Sequence, residues 1–131
     1  MSTRVRVHRI EIEDKPGALR DLLLQLAQEG VDMLCVAACT CGSKGVIDIC
    51  GKDPNVLKAA VDKAGIDFTE MAGFLISGDD KIGAGAKVLK GLADADINGI
   101  ASSAMVFDGH FKMLIIVDAV DGDAAEEVLY G

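Results

Sequence analysis

The feature that most constrains the fold of this chain is a repetition. The frame Asp-Lys-Pro-Gly at residues 14–17 returns 66 positions later as Asp-Lys-Ile-Gly at residues 80–83. Sliding the chain by that interval sets Leu22 on Val88, Leu23 on Leu89, Leu26 on Leu92, Ala27 on Ala93, Val31 on Ile97 and Asp32 on Asn98. Further on, residues 44–52 fall on 110–118, and a slip of two then brings Asp53 onto Asp121. The shared order and spacing mark one supersecondary unit written twice. With 131 residues there is room for one compact domain or two small ones. The repeat places the division at residues 1–70 and 71–131.

Within one copy the periodicity changes in a fixed order. Val5, Val7, Ile10 and Ile12 sit among charges, which predicts a strand. Pro16 and Gly17 break it, and Pro is favoured in a first helical turn, where its missing N–H costs nothing. Leu19, Leu22, Leu23 and Leu26 then recur at helical spacing, and Gly30 stands where a left-handed cap is expected. The stretch VDMLCVAACT predicts a strand, CGSKG a turn and residues 46–50 a short buried strand. Asp53 is the expected cap of a second helix, with Pro54 in its first position and Val56, Leu57, Ala60 and Val61 on its apolar face. Residues 66–69 are expected to form a fourth strand. It is open whether residues 66–77 make two strands or one long strand shared by both copies.

The second copy repeats the order. Strands are expected at 74–77, 99–107 and 111–117, the last two joined by an Asp108-Gly109 turn, with helices at 84–95 and 123–130. A counterpart of strand 66–69 is missing, so this copy's last strand is either absent or supplied elsewhere. Each unit is then β-α-β-β-α, with a fourth strand in the first copy. Two right-handed crossovers give an α+β, ferredoxin-like sandwich: an antiparallel sheet with helices on one face.

Composition narrows the function classes. Half of the residues are hydrophobic, with no Trp, one Tyr and four Phe, so the core is expected to be aliphatic. Thirteen basic against twenty-one acidic residues give a net charge of −8, which repels phosphate backbones and argues against a nucleic-acid partner. Arg4, Arg6, His8 and Arg9 cluster but read as the alternation of a strand. The start MSTRVRVHRI has no apolar leader core, and no apolar run is long enough to span a bilayer, so a soluble cytoplasmic protein is expected.

No catalytic constellation emerges, and no cofactor is implied. Cys35, Cys39 and Cys41 share one face of a strand at a spacing unlike a metal-binding pair, and all four cysteines, Cys50 included, read as small core residues. A thiol or metal sensor is the sharper alternative, with Cys50 approaching Cys39 from the neighbouring strand. His8 and His110 lack partners at triad or metal-ligand spacing and read as surface or strand-face residues. The acidic stretches at 78–80 and 121–123 do not fit a calcium loop, and IGAGAK lacks the frame of a phosphate loop.

The stretches EDKPGALRDLLLQLAQEGVDM and DDKIGAGAKVLKGLADADINGIASSA resemble the ACT domain family, small ligand-binding modules that regulate amino-acid metabolism. The family pattern is a strand, D-x-P-G, and a helix ending in a phrase like L-A-E-A-G-I-N. The first copy follows it with Asp32 in the place of the usual Asn. The second has Ile82 in place of Pro but keeps Gly83 and Asn98. The resemblance implies a binding site at the interface of two domains and not a catalytic one. By matching motif positions it implies one half-site of Asp14, Lys15, Pro16, Gly17, Ala18, Leu19 and Asp32. The other is Asp80, Lys81, Ile82, Gly83, Ala84 and Asn98. Glycine at the bend permits close backbone approach, and the helix N-terminus beyond it suits an α-carboxylate. Asp32 and the Asn98 amide oxygen are acceptors for an α-ammonium. The same bend is also a plain strand-to-helix turn, for which Pro16 and Gly17 suit the geometry alone.

The expectation is therefore a non-catalytic regulatory module holding a small amino acid, working as a homodimer and read by a metabolic enzyme or regulator. The alternative is an interaction module that keeps the fold without the ligand and docks on a metabolic enzyme.

Overall fold

The computed structural model describes residues 2–131. In chain order the elements are β1 (Ser2–Glu13), α1 (Ala18–Gln28), β2 (Met33–Cys41), β3 (Lys44–Gly51), α2 (Pro54–Lys63), β4 (Thr69–Asp79), α3 (Ala84–Asp94), β5 (Ala101–Phe107) and β6 (His110–Asp118). A one-turn 3₁₀ helix (Ala119–Asp121) and α4 (Gly122–Tyr130) follow. The chain is α+β, and it divides into two compact units. One is Arg6–Glu70; the other is Met71–Gly131 with the residues of β1 up to Val5.

In the unit Arg6–Glu70 the strand order is β2-β3-β1, with both pairings antiparallel. Alternate strand residues Ile10, Ile47 and Ile49 join Leu22 and Leu26 of α1 and Leu57, Ala60 and Val61 of α2 in one buried cluster. That is the outcome dictated by period-2 and period-3.6 apolar patterns meeting face to face. α2 begins as its sequence predicts: the Asp53 carboxylate accepts from the Asn55 N–H at 2.9 Å, and Pro54 fills the first turn.

In the other unit β6 lies between β4 and β5, antiparallel to both, and the first residues of β1 border β4. Phe74, Leu92, Ile97, Met113, Ile115, Val117 and Ala125 form its buried cluster. Phe74 meets Tyr130 of α4 edge to face, with ring centroids 5.5 Å apart.

The 66-residue interval is written into the hydrogen bonds. The Ala18 N–H donates to the Lys15 carbonyl at 3.2 Å, and Ala84 to Lys81 at 3.2 Å. Val31 donates to Leu26 at 3.0 Å where Ile97 donates to Leu92 at 2.9 Å. Cross-strand partners repeat as well. His8 faces Ile49 and Phe74 faces Ile115; Arg9 faces Asp48 and Leu75 faces Leu114.

Three expectations are corrected. Residues 66–68 are not a strand; a single long strand, β4, starts at Thr69 and runs unbroken to Asp79. Pro16 precedes the helix, because Gly17 takes the N-cap position. Before the last helix the Asp118 carboxylate accepts the Val120 N–H at 3.2 Å, and Asp121 stands at the N-cap of α4 without a side-chain bond. His8 is fully buried beside Phe68, with ring centroids 4.9 Å apart. Its position falls on the strand face that the helices cover, the one Phe74 occupies in the other copy.

Candidate functional site

The bend between β1 and α1 is built by Gly17. It sits at φ 86°, ψ −11°, a left-handed conformation that only glycine enters without strain. No side chain caps the α1 N-terminus. The first N–H groups of a helix have no partner within it, so the start of α1 carries donors and partial positive charge. The Gly83 bend before α3 has the same form, φ 81°, ψ 7°, and also lacks a side-chain cap.

Beside the first bend lies a cleft of about 210 Å³, lined by Ile12, Glu13, Asp14, Lys15, Leu19, Ala38, Cys39, Thr40, Gly45 and Ile47. Leu19 belongs to the apolar helical stripe yet remains 36% exposed, because it borders this cleft instead of the core. The Thr40 hydroxyl donates to the Asp14 carboxylate at 3.3 Å. Lys15 Nζ lies 3.0 Å from the Glu13 carboxylate, and that hydrogen bond holds Glu13 below the ordinary carboxylate range. Both signs of charge therefore meet an apolar floor of Ile12, Leu19 and Ile47.

Of the first predicted half-site, Asp14, Lys15 and Leu19 line this cleft. Gly17 and Ala18 are half-buried at the bend, and Pro16 is exposed. Asp32 is not part of the lining; its exposed carboxylate pairs with Lys52 at 3.1 Å. Of the second half-site, Asp80, Lys81, Gly83 and Asn98 are exposed and Ala84 is half-buried. Ile82 projects wholly into solvent. Sequence reasoning missed the wall that β2 and β3 contribute, Ala38, Thr40 and Gly45. Small residues at alternate strand positions were its only signal.

A second, wider hollow of about 540 Å³ in the same unit is lined by Arg9, Glu11, Lys44, Ile66, Asp67, Phe68 and Thr69. Arg9 is occupied there: its guanidinium meets Asp48 side-on, at 2.7 and 2.9 Å. That bond raises the Arg9 pKa further above its ordinary value.

The cysteines depart from a core role. Cys50 is buried and Cys35 half-buried, but Cys39 and Cys41 are exposed, and Cys50 stands opposite Cys35 instead of Cys39. Among the described residues no group of His, Cys, Asp and Glu has the arrangement of a metal site, and no helix is long and apolar enough to cross a membrane.

No protein-family model matches the chain, and no curated protein matches it in sequence. Solved structures do. Protein BT0572 from Bacteroides thetaiotaomicron superposes with a TM-score of 0.78 at 20% identity, covering 98% of this chain and 88% of that one. The regulatory subunit of aspartate kinase from Thermus thermophilus, in its ligand-free form, gives 0.63 at 18% identity, covering 99% and 93%. The aspartate kinase of Clostridium acetobutylicum, an allosteric enzyme, gives 0.65 at 17% identity; the match covers 98% of this chain but 33% of that one. At these identities the likeness shows the fold alone, an α+β fold shared with the regulatory subunit of aspartate kinase.

Proposed function

We propose that the chain is a tandem of two ACT domains, residues 1–70 and 71–131, acting as a non-catalytic regulatory module that binds a small amino acid at the first bend. The observation that carries this reading is the cleft at residues 14–19. There an uncapped helix N-terminus and Lys15 offer positive charge, Glu13 and Asp14 offer negative charge, and Leu19 and Ile47 offer an apolar floor. A zwitterion needs those three surfaces within a few ångströms. Its carboxylate takes the helix N–H groups, and its ammonium takes the carboxylates. The volume is below the roughly 300–1,000 Å³ of drug-sized pockets, which suits a ligand of few heavy atoms.

Pro16, Gly17 and Ala18 shape the bend in this proposal, and Asp32 joins as an ammonium acceptor by exchanging Lys52 for the ligand. The second bend, Asp80, Lys81, Ile82, Gly83 and Ala84 with Asn98, is the weaker half-site. A second copy of the chain closes the site in a homodimer; the exposed Met105, Val106 and Phe107 at the end of edge strand β5 are apolar surface for such pairing. The aspartate kinase regulatory subunits of like fold suggest a readout through an enzyme of amino-acid metabolism.

Thermal shift against the twenty amino acids tests this. A ligand at one hundred times its Kd adds about 2.7 kcal/mol of stability. Ala38→Leu fills the cleft from an exposed edge-strand position, and Ala104→Leu is its counterpart in the other copy. The shift should vanish in the first variant and persist in the second. A flat panel removes the ligand and leaves an interaction module.

A further inference from the structure

We propose that Cys35 and Cys50 form an oxidation site: a cross-strand thiol pair that a peroxide converts into an intrachain disulfide between β2 and β3. The two residues are direct partners in the antiparallel register. Residues so placed have Cα atoms about 4.5–5.5 Å apart, inside the roughly 4.4–6.8 Å that a disulfide spans.

A local irregularity creates this pairing. Met33 faces Gly51, and the register shifts before Cys35 faces Cys50. Without the shift Leu34 would stand opposite Cys50, and Cys35 would stand opposite Ile49. A bulge re-aims the side chains that follow it. Here it sets two thiols side by side on the face that also carries Arg9 and Asp48. The fold does not need thiols at these positions. The same pair of positions in the other copy is Ala101 opposite Ile116.

Their environments divide the labour. Cys35 is half-buried and open to a small oxidant, whereas Cys50 is buried. The neighbouring Cys50 thiol holds Cys35 below the ordinary thiol range, and Cys35, together with burial, pushes Cys50 up. The Cys35 thiolate attacks a peroxide oxygen, the O–O bond breaks, and the released hydroxide leaves as water. Cys35 is then a sulfenic acid. The Cys50 sulfur displaces its hydroxyl, losing the thiol proton to make a second water, and the S–S bond forms. Two thiols have lost two electrons and one hydrogen peroxide has become two waters. Cys39 and Cys41 have no such partner: Val46 and Lys44 stand opposite them.

The test treats the full chain with hydrogen peroxide and maps the peptides by mass spectrometry. The expected product joins Cys35 to Cys50, with the intact mass lower by two hydrogens and no change in oligomeric state. In Cys39→Ser/Cys41→Ser the two remaining thiols should disappear together. In Cys50→Ser, Cys35 should accumulate as a sulfenic acid trapped by dimedone. A disulfide through Cys39 or Cys41 in the wild-type chain would overturn the proposal. So would Cys35 and Cys50 staying free while the exposed thiols react, or Cys35 gaining oxygen with Cys50 still free. Wild-type mapping gives the answer even where a variant fails to fold.

Discussion

Replacing Gly83 by Ala isolates the backbone that both bends share. Gly83 lies at φ 81°, and a Cβ built there meets nothing within 4 Å, so packing adds no penalty. Holding an L-residue in the left-handed region costs about 1–2 kcal/mol. Stiffening the unfolded chain offsets about 0.4–1 kcal/mol of that. The expected net loss is about 1 kcal/mol, or about 4–8 °C in Tm for a unit of this size. Gly17→Ala carries the same backbone cost. Its Cβ would meet the Arg20 guanidinium at 2.9 Å, but that side chain is 76% exposed and swings aside, so the loss should be similar. Gly99 has no positive φ and open space around its Cβ position, so Gly99→Ala should be neutral or slightly stabilising. Urea unfolding of the three variants reads the difference directly. Should Gly83→Ala prove as stable as Gly99→Ala, the bend is not left-handed in solution and the geometry of the site is wrong.

Because one unit is written twice, each copy suggests substitutions for the other. Gly30 ends α1 at φ 79°, where Asp96 holds the equivalent place at φ 59°; Asp96→Gly should stabilise by roughly 0.5–1 kcal/mol in urea unfolding. Leu75 and Leu114 occupy the positions of Arg9 and Asp48. Asp48→Leu strands a guanidinium that is 24% exposed and should cost about 1–3 kcal/mol, while Arg9→Leu/Asp48→Leu should recover most of the loss in a double-mutant cycle. Burial lowers the pKa of His8 below its ordinary 6.5. As pH falls through that value the unfolded chain takes up a proton that the folded chain refuses, so stability drops from about pH 6.5 down to the folded pKa. His8→Phe copies Phe74 and should flatten the stability profile just below about pH 6.5; an unchanged slope would acquit His8. Glu70 acts at lower pH. Its hydrogen bond from Arg6 lowers its pKa, so its contribution is present above about 4.5 and lost below.

Much of this architecture was legible because local patterns and global fold agree. The Pro-Gly bend, the helical leucines, the Asp53 cap and the Asp108-Gly109 turn each depend on neighbours within a few residues, and each lies where its chemistry requires. What escaped depends on partners distant in sequence. The burial of His8 is set by Phe68 and the helix face, not by the arginines flanking it. Single-strand alternation could not reveal the register shift that sends Cys35 to Cys50 instead of Ile49. The 66–69 segment carries strand-like residues, yet the chain leaves α2 through Gly65 at φ 69° and begins pairing only at Thr69. At the site, the motif indicated the bend but not its far wall, because Ala38, Thr40 and Gly45 become a wall only once β2 and β3 pair.

The most direct test of the account is an ¹H–¹⁵N NMR titration of the ¹⁵N-labelled protein with each amino acid that shifts its melting. Saturable shifts are expected to be largest at the amides of Gly17 and Leu19, where a carboxylate would accept their N–H groups, with smaller changes at Ala18, Thr40 and Gly45. Saturable shifts centred elsewhere, with the residues of this bend unmoved, would contradict it.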